Sequence, residues 1–341
     1  QLLLQILNLI FIKQLCINFM LVVSNCHYIR ESFDSKYPSI FGLTPKQFED
    51  QLIELSKHGT FISQSELLNF LDKPFDKNYI LITFDDGLSE QFELARPILK
   101  KLGIPFVFFI NSMNYVEKKV SLVHKIHIVR SEISSEEIIN FIKKDLNIGL
   151  NKKEKSLAKV NYNYDDEISA NLKYLLNFKL NLFEQEQVMN PLFASIRNEE
   201  QVNKELYFTE EQLNILYAEG SLGSHSHHHI PLGRYDEKEI ELEYIKVQNF
   251  FKSRFGKETY SISYPYGSYE ACAKVSNIAK KYNFKLGFSM ERAASLSLDN
   301  NPLMISRFDC NDLPKGKFSL FNSKKCLFDN INLSEWYQKV N

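Results

Sequence analysis

The chain has 341 residues, 44% of them hydrophobic, and a formal net charge of -1, which excludes a disordered protein and supplies enough material for one large α/β domain. With no basic excess, neither a nucleic acid nor an anionic membrane surface is an expected partner. Cys16, Cys26, Cys272, Cys310 and Cys326 are scattered and include no CxxC pair, so neither a disulfide framework nor a thiolate metal site is expected, and a reducing, cytoplasmic compartment is preferred.

Residues 1–19 are rich in Leu and Ile but interrupted by Gln5, Asn8, Lys13, Gln14 and Asn18. That pattern makes a poor signal peptide and shows no clear membrane segment. We read 1–19 as an upstream extension outside the fold, with an anchoring helix as the alternative, and 20–341 as the folded unit. Leu21-Val22-Val23-Ser24 is a first buried strand, and it delivers Cys26-His27-Tyr28 to its end. In Thr44-Pro45-Lys46-Gln47 a cap residue, a proline at the first helical position and Gln three residues after the cap start a helix.

Tyr79-Ile80-Leu81-Ile82 is the central buried strand, and Thr83-Phe84-Asp85-Asp86-Gly87 follows it directly. Adjacent carboxylates after a core strand are costly unless a cation or hydrogen-bond donors compensate. The other reading is a strand-to-helix turn in which one aspartate caps the helix. A helix over 89–102 stops at Gly103, and Pro105-Phe106-Val107-Phe108-Phe109-Ile110 is another buried strand. Strand, helix, strand in that order implies parallel pairing through a crossover.

From 117 to 205 the chain turns Lys-, Asn- and Glu-rich with almost no strand signal. A helical insertion is expected there, either a surface subdomain or a wall over a substrate cleft. Beyond it, Thr209-Glu210-Glu211-Gln212 opens a helix and Ser221-Leu222-Gly223-Ser224 leads into His225-Ser226-His227-His228-His229. A long helix then ends at Gly256. Ser261-Ile262-Ser263-Tyr264 is a strand that exits into Pro265-Tyr266-Gly267, and Leu303-Met304-Ile305-Ser306 is a last strand before Arg307-Phe308-Asp309.

Each polar cluster follows a strand, and in a parallel barrel the strand C-termini gather at one face. His225 and His229 are four residues apart, so one helical turn would put both imidazoles on the same side. With Asp86 they make two nitrogens and one carboxylate oxygen, a set suited to a divalent metal that keeps a position open for water. His227 and His228 are expected to point away from that set.

These stretches also carry a resemblance. Thr83 to Gly87 resembles the first motif of the NodB-homology polysaccharide deacetylases, His225-Ser226-x-x-His229 their second, and Tyr264-Pro265-Tyr266-Gly267 their third. The resemblance implies an α/β fold, a distorted TIM-like (β/α) barrel with a helical insertion. It implies metal-dependent hydrolysis, with zinc the expected ion, and a carbohydrate substrate bearing N-acetyl groups. Carried over by position, Asp85 would be the general base and Asp86, His225 and His229 the metal ligands. The Tyr266 N–H would steady an oxyanion, and Pro265 would fix the turn beside the substrate.

Three features depart from the family pattern. Ser263 stands where many members carry an arginine; Arg307 is a replacement from the next strand, or a structural arginine. Neither an Asp-and-Trp motif nor a late Leu-x-x-His motif is present, and the one tryptophan is Trp336. His27 is then the candidate general acid, or a structural histidine, with Asp309 orienting it or touching substrate. The alternatives to an N-deacetylase are an O-acetyl or non-sugar amide hydrolase on the same site, or a carbohydrate-binding pseudoenzyme.

Overall fold

In the computed structural model, residues 19–33, 36–38, 42–299, 301–321, 327–329 and 331–333 are described. The expected extension over 1–19 lies outside them except for Phe19. Apolar, β-branched runs form β1 (Leu21–Cys26), β3 (Tyr79–Phe84) and β4 (Phe106–Ile110), every residue of which is buried. Strands buried on both sides belong to a parallel sheet covered by helices. Short strands complete it: β2 (Thr60–Phe61), β5 (Leu222–Ser224), β6 (Ser261–Ser263), β7 (Leu286–Phe288) and β8 (Phe308–Asp309). The order is β7-β6-β5-β4-β3-β1-β8, all parallel, with β2 pairing the first residues of β3.

Strand periodicity sorts the side chains onto two sides. Val22, Ile80, Ile82, Phe84, Phe106 and Phe108 join the cluster shared with the surrounding helices. Leu21, Val23, Tyr79, Leu81, Val107, Phe109, Leu286 and Phe288 pack together in a separate cluster inside the curled sheet. Continuing the inward set by two residues at a time leads to Asn25 on β1 and to Thr83 and then Asp85 on β3.

The last strand differs from expectation. Residues 303–306 form no regular strand; Ile305 alone bridges Phe288 of β7, and pairing resumes at Phe308–Asp309 against β1. A single short segment has to serve two neighbours, so its backbone bonds to β7 first and to β1 afterwards, giving a parallel α/β barrel distorted at this seam. Arg307 sits between the two halves, fully buried.

The helix over 89–102 is also interrupted, into a π-helical turn at Gln91–Ala95 and an α-helix at Arg96–Leu102. Pro97 has no N–H to give to the preceding turn, which favours a bulge there. Thr44, Thr209 and Asp236 each form a capping box at a helix start.

Between β4 and β5 the chain runs through helices that include Leu122–Glu132, Ser135–Leu146 and Leu182–Ile196. They build a hydrophobic cluster of their own, joined by Tyr28 and Leu88 from the loops after β1 and β3. Among the described residues, no helix is long and apolar enough to cross a membrane.

Candidate active site

Asp85 is 1% exposed and receives two hydrogen bonds from Arg307, Nη1 to Oδ1 at 2.9 Å and Nη2 to Oδ2 at 2.8 Å. The same guanidinium donates to Asn25 Oδ1 at 3.0 Å, Ser263 Oγ at 2.8 Å and the Ser289 carbonyl at 2.9 Å. A buried charge requires such complete pairing. Burial pushes the Asp85 carboxyl up, but Arg307, His225 and His27 outweigh it and hold the group well below the usual carboxylate range.

Asp86 lies one residue on, in the left-handed region at φ 77°, and Gly87 follows at φ 64°. The turn reverses side-chain direction, so the second carboxylate leaves Asp85 and joins the histidines. Its Oδ1 lies 3.3 Å from His229 Nε2 and 3.7 Å from His225 Nε2 and has no hydrogen-bond partner. Burial raises the Asp86 carboxyl, yet His124 and His229 draw it well below its ordinary value.

The two histidines converge without the expected helical turn. They lie on a loop, and Ser226 and His229 adopt positive φ of 66° and 56°. That bend brings the rings to 4.9 Å between centroids. The His225 ring pairs at Nδ1 with the Ser263 carbonyl at 2.8 Å. Nδ1 is the donor there, which leaves a lone pair on Nε2. Burial, partly opposed by Asp85, lowers the His225 imidazole to about 4. Asp86, His225 and His229 offer ligand atoms that all lie within 4.8 Å of one another. An orphaned buried carboxylate oxygen between two imidazole nitrogens fits a divalent cation.

His227 and His228 turn the other way, toward Glu117 Oε1 at 3.2 and 3.6 Å. They too form a group able to approach a cation. Lys119 and Lys246 already bring ammonium groups to it, at 3.2 Å from Glu117 Oε2 and 3.4 Å from His228 Nε2.

His27 is half-buried, its Nε2 4.0 Å from Asp85 Oδ2. Tyr266 is 53% exposed at φ 52°, with its ring edge-on to His229 and Pro265 buried beneath the turn. Among the described residues none accepts the Tyr266 N–H. Asp309 stands apart: its Oδ1 accepts the Asn311 backbone N–H at 2.8 Å and side-chain amide at 3.0 Å, completing a turn of its own.

Sequence reasoning missed two residues. Gln91 is fully buried and donates to the carbonyls of His27 at 2.8 Å and Asp85 at 2.6 Å, tying two loops together. A glutamine five residues after Asp86 was its only signal. His124, from the helix over 122–132, puts Nε2 at 3.4 Å from Asp86 Oδ2. Only its departure from an apolar helix face hinted at it.

The sequence model of the family described as polysaccharide deacetylase matches residues 72–136 and 153–287. The chain belongs to the polysaccharide deacetylase family. It is therefore a hydrolase of acyl-amide C–N bonds that deacetylates glycans. Among solved structures, IcaB from Ammonifex degensii resembles this deacetylase with a TM-score of 0.50 at 17% identity, over 85% of this chain and 91% of that one. A de-N-acetylase from Aggregatibacter actinomycetemcomitans does so with a TM-score of 0.50 at 11% identity, over 85% and 95%. At such identities the likeness establishes the shared barrel. No curated protein matches the chain.

Proposed function

We infer that this deacetylase removes an N-acetyl group from an amino sugar in a glycan or glycan precursor, using a divalent metal held by Asp86, His225 and His229. The observation that carries the reading is the unpartnered Asp86 Oδ1 between the two imidazole Nε2 atoms. Two nitrogens and one carboxylate oxygen favour zinc, and an ion so bound supplies Lewis-acid chemistry, activating water and polarising an acyl oxygen.

The chain's own residues account for the remaining tasks. Asp85 accepts the proton of the attacking water; its pairing with Arg307 keeps it ionised and aimed, at the expense of intrinsic basicity. The Tyr266 N–H, free of protein acceptors, donates to the developing oxyanion. His27, half-buried beside Asp85, protonates the leaving amine. The exposed Tyr266 ring offers an apolar face to a sugar.

The test is acetate release from N-acetylglucosamine oligomers by metal-loaded protein, beside O-acetylated sugars and simple amides. Asp85→Asn is expected to bind metal and release no acetate. Turnover retained in that variant removes Asp85 from its role, and turnover on O-acetyl substrates alone overturns the N-deacetylase reading.

A further inference from the structure

We propose that His124, supplied by the helices between β4 and β5, is a positioning residue that holds Asp86 in the orientation its metal-binding oxygen needs. This rests on the reading of Asp86, His225 and His229 as metal ligands. The two Asp86 oxygens have separate surroundings. Oδ1 faces His225 and His229, whereas Oδ2 faces His124 Nε2 at 3.4 Å.

His124 is 2% exposed, and a polar ring so buried is costly unless both nitrogens are used. Its Nδ1 lies 2.6 Å from the Tyr207 hydroxyl, which itself accepts the Ser121 backbone N–H at 3.0 Å. With that N–H already directed at its oxygen, Tyr207 gives its own proton to Nδ1. The remaining proton of a neutral imidazole then sits on Nε2, which has no hydrogen-bond partner among the described residues and faces Asp86 Oδ2 at 3.4 Å. Ligating carboxylates are commonly held by a donor on the oxygen away from the metal, and His124 Nε2 is the buried nitrogen placed to take that part.

The backbone closes the same circuit from the other side. Tyr207 bridges Leu88, and the Phe208 N–H donates to the Gly87 carbonyl at 3.0 Å. The peptide carrying Tyr207 is thus stitched to the turn that carries Asp86. Lys125, the neighbour of His124, is engaged elsewhere, with Asn190 at 2.9 Å and Glu199 at 2.7 Å. The helices between β4 and β5 therefore contribute to the metal centre through one histidine, and their docking and the aim of Asp86 are linked.

The experiment is chelator competition with zinc on the full chain, comparing wild type with His124→Ala, His124→Gln, Tyr207→Phe and Asp86→Ala, the fold of each verified by circular dichroism. Loss of an outer partner of a ligating carboxylate typically weakens metal affinity about 10- to 100-fold, which is the expectation for His124→Ala. His124→Gln, which keeps an N–H donor near the Nε2 position, should recover most of that loss, and Tyr207→Phe should lose less than His124→Ala. A merely structural role would give no such graded rescue in metal affinity. Wild-type affinity in folded His124→Ala overturns this proposal while leaving the ligand set intact, provided Asp86→Ala loses the metal. No zinc uptake by the wild type would remove the ligand set itself and this inference with it.

Discussion

Arg307 and Asp85, 222 positions apart in the chain, meet through two parallel N–H···O bonds deep in the barrel mouth. Because both groups are buried, removing the cation leaves an uncompensated carboxylate. Arg307→Met is therefore expected to destabilise the protein by ~3–5 kcal/mol, measured by urea unfolding at neutral pH. Asp85 is held ionised in the folded state, so its contribution is present above the unfolded carboxyl range and fades only as pH falls through the depressed value. An unchanged urea midpoint would show that the pair is not coupled to folding. Arg307→Lys should recover only part, since an ammonium cannot make the fork.

Gly87 governs the turn that separates the two aspartates. At φ 64°, a Cβ there would come within 2.6 Å of Ile110 Cγ2. Backbone strain and overpacking act together, so Gly87→Ala should lower stability by ~1–3 kcal/mol. A thermal melt matching wild type would contradict this.

The metal-free protein should lose stability in mild acid. Burial lowers the His225 imidazole from 6.5 to about 4, and His227 likewise to about 4. Between those values the unfolded chain binds protons that the folded chain refuses, so stability is complete above about pH 6.5 and declines as pH falls toward 4. Urea midpoints in chelator across that range would test this, a flat profile counting against it.

Zinc should raise the melting temperature. A ligand at a thousandfold excess over its dissociation constant adds about 4 kcal/mol to the folded state. His229→Ala removes one of the two imidazoles facing Asp86 Oδ1, and the zinc-dependent shift should largely vanish. An equal shift in both proteins would place the bound metal elsewhere, the Glu117, His227 and His228 group being the first place to look.

His27→Gln should lower kcat by about 10²- to 10⁴-fold if the ring donates a proton to the leaving amine, with zinc affinity retained. A parallel loss of zinc affinity would instead assign His27 to holding the Asp85 loop.

Much of this was readable along the chain because it depends on local pattern. Apolar β-branched runs announced β1, β3 and β4, and cap residues announced the helices at Thr44, Thr209 and Asp236. The residues Asp86, His225 and His229 stood out because each follows a strand, and parallel strands deliver their ends to one face. The HxxxH spacing singled out two histidines whose rings do converge, but not by the expected helical turn: positive φ at Ser226 and His229 brings them together. The last strand could not be read from its apolar residues, because its pairing switches from β7 to β1 around Arg307.

By itself, then, the sequence determined the long buried strands β1, β3 and β4, the capped helix starts and which residue types cluster after the strands, since those depend on neighbours a few positions away. Tertiary structure alone decided that Arg307 answers Asp85 and that His124 reaches Asp86. Each of these depends on where a side chain ends up after the sheet curls and the helices between β4 and β5 dock. Period and composition carry no information on that direction, because it is set by the packing of segments far apart along the chain.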